Sequence, residues 1–219
     1  AVYPMNLILI STLFSVVIEP VAVILTPNNH VSIKGRIDDY KASQFVSKIN
    51  KLNTTNIYVY IDSPGGNVDA GQKMIQYINF KKDTNKTIMC IAWEAHSMAF
   101  NLFQACSYRY VLQDSKMMQH QMSLKNVVGN IENINSYMQI TNKMYDKLIL
   151  DASKRIGLSA DEYKLKIMND WFLYGEEIVQ NNVADAMISS IGCNKKLTDS
   201  DSLTTIGTDI LTISDCPII

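Results

Sequence analysis

The sequence predicts an α/β domain, a sheet with helices packed on it, and two patterns along the chain support this. Short runs rich in β-branched and aromatic residues alternate with longer runs in which apolar residues recur at helical spacing. Turn residues separate these runs, most clearly at Ser63-Pro64-Gly65-Gly66, which follows a strand-like run and precedes a helix-like one. Repeated strand–turn–helix units are typical of sheets covered by helices. The length of 219 residues suits one such domain with appended segments.

The individual elements follow from local composition. The predicted strands are short runs of β-branched, aromatic and other apolar residues: His30–Ile37, Asn56–Asp62, Thr87–Trp93, Tyr108–Leu112, Lys116–Met118 and Ala186–Ser190. The predicted helices are runs in which apolar residues recur three and four positions apart or that begin with a capping sequence: Asp38–Leu52, Val68–Phe80, Ser97–Cys106, Glu132–Ile156, Ser159–Met168 and Glu176–Asn181. Ser159 and Glu162 have the spacing of a capping box, which predicts where the fifth helix begins.

Charge and histidine content argue against two classes of function. The 20 Lys and Arg residues balance 21 Asp and Glu residues and form no basic block, so nothing favours nucleic-acid binding. The three histidines, His30, His96 and His120, are too few for a His-rich metal site. We therefore expect no metal, no cofactor and no nucleic-acid partner.

The four cysteines form no C-x-x-C pair, which excludes a zinc ribbon and a thioredoxin motif. Cys90 and Cys106 lie in apolar runs and are interpreted as small core residues. Cys193 and Cys216 flank a polar segment and would be able to pair in an oxidising compartment.

Composition divides the chain into a hydrophobic segment at residues 1–29, the domain at 30–193 and a polar tail at 194–219. Leu7–Leu25 is 19 residues of mostly apolar sequence, about the length that spans a bilayer, but Glu19 and Pro20 interrupt it. Leu7–Ile18 alone has the length of the apolar region of a signal peptide. We expect a membrane-associated or secretory-pathway location. The alternative is a cytoplasmic protein in which this segment is buried or packs at an interface.

Three side chains suggest nucleophilic catalysis. Ser97 begins an apolar helix directly after a strand, so its hydroxyl would lie at the end of the sheet, where it needs a base to attack a carbonyl. His120 is the candidate base, and Asp170 is the candidate that orients it. The N–H groups of Gly66 and Met98 would stabilise the oxyanion. Taken singly, such a serine is more often a helix cap, such a histidine a surface or core residue, and such an aspartate a cap or a solvated residue, and this holds for Ser97, His120 and Asp170.

Longer stretches around these residues resemble the proteolytic subunit of the Clp protease. The resemblance covers residues 30–191, and it includes IYVYIDSPGGNVDAG, HSMAF, YVLQDSKMMQHQ and NDWFLYGEEIVQNNVADAMI, which hold the candidate residues in the family's order Ser, His, Asp. It implies a ClpP/crotonase-type α/β fold with a protruding helical handle. It also implies a serine endopeptidase with a Ser97–His120–Asp170 triad, an oxyanion hole at Gly66 and Met98, and substrate contacts at Gly65, Asn67 and Val68.

The same resemblance implies partners. The family forms homo-oligomeric rings, stacked in pairs around a chamber, which an ATP-driven unfoldase of the AAA+ class supplies with unfolded protein. The long helix Glu132–Ile156 has apolar residues on more than one face, which also favours an oligomer.

This chain departs from the family pattern at three places. Small residues usually precede the Ser-Met pair, but here Glu94, Ala95 and His96 stand there. We expect the side chain of His96 to point away from Ser97. The segment after His120 has one glycine, Gly129, and no proline, where the family has a proline and a glycine-rich stretch. Asn182 stands where the family has glycine.

Three rival functions remain. A non-catalytic scaffold subunit of the same fold would lack one or more triad residues, and all three are present. A crotonase-type enzyme uses paired oxyanion N–H groups without a triad. A membrane serine protease with a Ser-Lys dyad fits the hydrophobic N-terminus but not the matches at His120 and Asp170.

Overall fold

Seven strands of the described chain form one sheet. The computed structural model describes residues 18–124, 127–198, 201–206, 209–214 and 216–218. The strands of the sheet are β1 (Ile18–Leu25), β2 (His30–Lys34), β3 (Asn56–Ser63), β4 (Thr87–His96), β5 (Tyr108–Gln119), β6 (Trp171–Tyr174) and β7 (Ala186–Cys193). Their order is β1-β7-β5-β4-β3-β2, and these pairs are parallel, whereas β6 pairs antiparallel with β5.

The helices follow the strands in the predicted order. They are α1 (Asp39–Lys51), α2 (Val68–Asp83), α3 (Met98–Gln104), α4 (Ile131–Ile156), α5 (Ala160–Lys166), α6 (Glu176–Gln180) and α7 (Lys195–Thr198). The capping box at Ser159 and Glu162 is present at the start of α5. A separate hairpin, β8 (Asp201–Ile206) and β9 (Asp209–Ser214), follows α7.

Apolar side chains cover both faces of the sheet, which explains the nearly continuous apolar runs of its central strands. On one face, Ile57, Val59 and Ile61 of β3 pack in one core with apolar residues of α1 to α5. On the other face a smaller core contains Val23, Leu25, Ile91, Ile188, Leu197 and Cys216. The α/β class and the strand–turn–helix units are as predicted.

The N-terminal boundary of the predicted domain is wrong. We expected residues 1–29 to form a separate segment, but β1 belongs to the sheet, pairs with β7 and buries Val23 and Leu25. β1 is an edge strand whose described part is buried on one face only, since Ala22 is exposed and Ile24 is 52% exposed. The rest of the expected signal or membrane segment, residues 1–17, lies outside the described residues. Within the described ranges, no helix is long and apolar enough to cross a membrane.

The two predicted short strands at Tyr108–Leu112 and Lys116–Met118 are one strand, β5. Its register with β4 shifts between Ala92 and Glu94. The Ser115 hydroxyl donates to the Ala92 carbonyl at 2.7 Å and accepts from the Leu112 N–H at 2.7 Å. These bonds satisfy backbone groups at the irregularity, so the strand continues to Gln119 and the residue after it, His120, reaches the end of the sheet.

All four cysteines are in disulfide bonds. Cys193 and Cys216 are joined, as their positions allowed, and the bond anchors the C-terminal end of the tail beside β7. Cys90 and Cys106 are buried in the core, as interpreted, but they are also bonded to each other, which the sequence did not indicate.

Candidate active site

Ser97 occupies a sharp turn between β4 and α3. Its backbone has φ 54° and ψ −119°, a conformation that side-chain-bearing residues rarely adopt. Although Ser97 is the N-cap of α3, its hydroxyl makes no capping hydrogen bond. The Ser97 N–H donates to the Met118 carbonyl at 2.8 Å, which attaches the turn to β5. The interpretation of Ser97 as an ordinary helix cap therefore does not hold.

The hydroxyl of Ser97 faces His120 instead. The distance from Ser97 Oγ to His120 Nε2 is 2.9 Å, and His120 is the first residue after β5. With the imidazole proton on Nδ1, the serine hydroxyl donates to Nε2, the arrangement in which histidine can take the serine proton. The backbone N–H of His120 donates to Gln119 Oε1 at 3.2 Å.

Asp170 is placed opposite His120, but the two side chains do not meet. The antiparallel ladder of β5 and β6 pairs Gln119 with Trp171, and the next residues in that register are His120 and Asp170. The Asp170 side chain is exposed, and no hydrogen bond joins it to His120 among the described residues. The backbone thus brings the predicted orienting residue beside the base, but its exposed side chain makes no hydrogen bond to His120 in this arrangement.

The glycine turn packs against the Ser97 turn. A Cβ added at Gly65 would lie 2.5 Å from the His96 carbonyl oxygen and 2.9 Å from the Met98 nitrogen, so only glycine allows this approach. Ile37 N donates to the Gly65 carbonyl at 2.8 Å, and Asn67 N donates to the Ile37 carbonyl at 2.9 Å. This bridge holds the chain on both sides of Gly66.

The two predicted oxyanion donors lie at the same pocket as Ser97 and His120. Within the described chain, neither the Gly66 N–H nor the Met98 N–H has a protein acceptor. Met98 is the first residue of α3, where an N–H has no partner within the helix. Both groups are therefore available to a substrate carbonyl oxygen.

The predicted substrate-binding residues lie around this turn. Val68 lines the pocket, and Gly65 supports the Ser97 turn. The Asn67 side chain accepts a hydrogen bond from Ala70 N at 2.8 Å and so caps α2, while its backbone N–H donates to the Ile37 carbonyl and its carbonyl accepts from the Gly71 N–H. The polar groups of Asn67 therefore hold the turn.

A comparison with known protein families identifies the family of the chain. A sequence model of the Clp protease family matches residues 17–190, most of the chain. The chain belongs to the Clp protease family. Membership supports a serine peptidase of the ClpP type and confirms both the predicted family and the fold. The match begins at residue 17, one residue before β1, which agrees with the sheet starting earlier than the sequence predicted.

His96, the unusual residue before Ser97, is directed away from the nucleophile. Its Nδ1 lies 3.4 Å from Glu94 Oε1, and its ring packs edge-on against Phe172. Its Nε2 is buried and has no hydrogen-bond partner among the described residues. Burial lowers the pKa of His96, although the Glu94 carboxylate acts in the opposite direction. In this Clp protease family member, His120 and not His96 is in position to act as the base.

Sequence reasoning missed several side chains of the pocket. Asn101 donates from Nδ2 to the Ser97 carbonyl at 3.3 Å, and its position one helical turn after Ser97 is a signal that was available. Tyr145 of α4 and Tyr163 of α5 also line the pocket. No spacing in the sequence connects these distant helices with Ser97.

Proposed function

We propose that the chain is an active serine endopeptidase, hydrolysing peptides and unfolded proteins with Ser97, His120 and Asp170 as one catalytic unit. The observation that carries this proposal is the Ser97 hydroxyl, which caps no helix and lies 2.9 Å from His120 Nε2. A scaffold subunit would have no need of this pair or of two unused N–H groups beside it. A Ser-Lys dyad has no support here, because the group on the serine is an imidazole.

The geometry supports a two-step acyl transfer. Ser97 Oγ attacks the substrate carbonyl carbon while its proton passes to His120 Nε2, and the carbonyl oxygen becomes an oxyanion held by the N–H groups of Gly66 and Met98. His120 then gives the proton to the departing amine. Water then enters, loses a proton to His120 and attacks the acyl carbon. The bond between Ser97 Oγ and the acyl group breaks, His120 returns the proton to Ser97 Oγ, and the acid product leaves. A rotation of the Asp170 side chain toward His120 Nδ1 would complete the unit when substrate binds.

The test combines a fluorophosphonate probe with hydrolysis of a fluorogenic peptide. Ser97→Ala and His120→Ala should each lower kcat by about 10⁴-fold or more, and Ser97→Ala should abolish labelling. Asp170→Asn should also be severe, because the orienting carboxylate is lost. His96→Ala is the matched control and should keep near-normal turnover. If His96→Ala is inactive and His120→Ala is not, the base is misassigned; if Ser97→Ala hydrolyses normally, the proposal fails.

We further propose that the chain works as a homo-oligomeric ring that stacks with a second ring around a chamber. An AAA+ unfoldase would supply this chamber if the chain were cytoplasmic, whereas on the secretory pathway the ring would act on short or already unfolded chains. Four apolar residues of α4 are more than half exposed in the single chain: Ile131, Tyr137, Ile140 and Leu150. Light scattering at micromolar concentration should give a ring-sized mass for the native chain and a smaller one for Ile140→Lys. Tyr40→Lys, at an exposed residue of α1, is the control. A monomer that cleaves peptides at full rate would contradict the ring.

We also propose an oxidising compartment, on the secretory pathway or at a membrane. Two disulfide bonds support this location, because disulfides persist where thiols are not kept reduced. Fractionation of cells that express the chain with residues 1–17, or without them, tests the proposal. Equal recovery of both forms in the cytoplasmic fraction would contradict it and favour the cytoplasmic alternative.

A further inference from the structure

The pocket beside Ser97 is small and is lined by both apolar and polar side chains. Its volume is about 80 Å³. At about 10–15 Å³ for each water-sized atom, it has room for roughly five to eight non-hydrogen atoms. Met98, Met122 and Ile149 are among the residues that form apolar walls, while Gln119 and Tyr163 add polar side chains. Because Ser97 itself lines this pocket, the pocket suits the substrate side chain next to the scissile bond.

The hydroxyl of Tyr163 is the unusual group in this pocket. Tyr163 is 1% exposed, and its hydroxyl has no hydrogen-bond partner among the described residues. Its ring packs edge-on against Trp171, which holds it in place. Burial raises the pKa of Tyr163, and the nearby Gln119 side chain partly offsets that rise. The Gln119 side chain and the Tyr163 hydroxyl do not, however, have the geometry of a hydrogen bond. A buried hydroxyl that no protein group satisfies is a position for a ligand atom.

Tyr163 is also well placed to meet a substrate side chain. Its hydroxyl lies close to Gln119 and Tyr145, and both residues line the same pocket. Tyr145 is only partly buried, so the group of side chains around the hydroxyl is not fully enclosed. The hydroxyl itself is out of contact with solvent, and a substrate group is the partner that it lacks.

We propose that Tyr163 determines substrate specificity by selecting glutamine as the residue on the acyl side of the scissile bond. Glutamine has a short apolar stem and an uncharged end that forms hydrogen bonds. The inference rests on the proposed peptidase function. The two methylenes of glutamine fit between the methionines, and its amide oxygen accepts from the Tyr163 hydroxyl. Its amide nitrogen donates to Gln119 Oε1, which already accepts from the His120 N–H.

The chemistry of the pocket disfavours the alternatives. Glutamate would bring a carboxylate into a site where no Lys or Arg is among the described lining residues. Methionine and leucine fill the apolar part but leave the Tyr163 hydroxyl without a partner, and sites that bind a polar group discriminate against analogues that lack it.

The test uses three fluorogenic peptides that differ only in the residue before the scissile bond, which is Gln, Met or Leu. The native chain should have a kcat/KM for the Gln peptide at least about tenfold above that for the Met peptide. Tyr163→Phe removes only the hydroxyl. It should lower kcat/KM for Gln by about tenfold and leave the Met value unchanged or higher. Tyr174→Phe, which removes a hydroxyl bonded to Asp114 outside the pocket, should leave the ratio as it is.

A binding arm separates this inference from the proposed function. Calorimetry on Ser97→Ala, with peptide acids that end in Gln or Met, measures the pocket without hydrolysis. Tighter binding of the Gln peptide, lost in Ser97→Ala/Tyr163→Phe, supports the inference even if the chain hydrolyses nothing. Equal binding of the two peptides, or a Gln-to-Met ratio unchanged by Tyr163→Phe, overturns it even if Ser97-dependent hydrolysis is confirmed.

Discussion

At the scale of single residues, the site depends on a backbone conformation that disfavours a side chain. Ser97 has φ 54°, and Gly175 has φ 55° at a second strand-to-helix junction, the start of α6. Glycine adopts this region at little cost, whereas residues with a Cβ are strained there by about 1–3 kcal/mol. The strained conformation of Ser97 directs its hydroxyl to His120. It is maintained by backbone contacts of the turn, such as the hydrogen bond from Ser97 N to the Met118 carbonyl.

The strain predicts a difference between two inactive variants. Ser97→Gly should raise the free energy of unfolding by about 1 kcal/mol relative to Ser97→Ala, because glycine relieves the positive φ while both variants lose the hydroxyl. Urea unfolding followed by circular dichroism measures it. Equal stability, or a more stable Ser97→Ala, would mean that the backbone at this position is not strained.

A cluster of charged and polar side chains joins β5, α4 and the end of α3 that is farther from Ser97. Arg109 of β5 has a side chain that is 1% exposed and pairs with Asp185, which precedes β7. Asp185 also accepts from Arg155 of α4 at 3.0 Å, and Gln104 at the end of α3 accepts from Arg109. Burial lowers the pKa of Arg109, and the Asp185 carboxylate acts against that shift. This group fixes the end of α3 opposite to Ser97.

At the scale of elements, loss of that carboxylate should loosen the packing of α3 on β5. Asp185→Asn leaves the Arg109 guanidinium buried without a negative charge and should lower the free energy of unfolding by about 3 kcal/mol. Asp151→Asn is the matched control, because its ion pair with Lys147 is more than half exposed and such pairs contribute less than about 1 kcal/mol. Similar small losses in chemical denaturation of both variants would show that the buried group contributes little.

The elements also explain which site residues were predictable from sequence. The strand run before Ser97 and the glycine turn are local signals, so the nucleophile and the oxyanion turn could be proposed directly. Asp170 reaches His120 through the antiparallel pairing of β6 with β5, and the four residues of β6 carry no signal of their direction. Asp170 could be named as a candidate from its place before an apolar run, but only the family resemblance connected it with His120. Nothing in the sequence indicated Tyr163, whose position depends on how α5 packs.

At the scale of the whole molecule, the N-terminal boundary was wrong for a physical reason. Strands of parallel sheets are commonly continuous apolar runs, as is the apolar region of a signal peptide, and β1 has this composition although it is an edge strand with Ile24 52% exposed. Leu7–Leu25 therefore gave no internal sign of where a leader would end and β1 begin. β1 pairs with β7 and forms the edge of the sheet opposite to β2, which places residues 18–25 in the fold.

The corrected boundary predicts how truncation affects stability. A form that starts at Val17 keeps β1, whereas a form that starts at Asn28 loses it. Removing β1 takes Val23 and Leu25 from the core and uncovers Ile188 and Leu197, which are 2% and 3% exposed. Each buried aliphatic side chain contributes about 1.5–3 kcal/mol, so the shorter form should lose at least about 4 kcal/mol or fail to fold. Thermal unfolding of the two purified forms measures the difference. Neither form contains residues 1–16, so any difference in melting temperature is due to residues 17–27. Equal melting temperatures would mean that β1 is not part of the stable sheet.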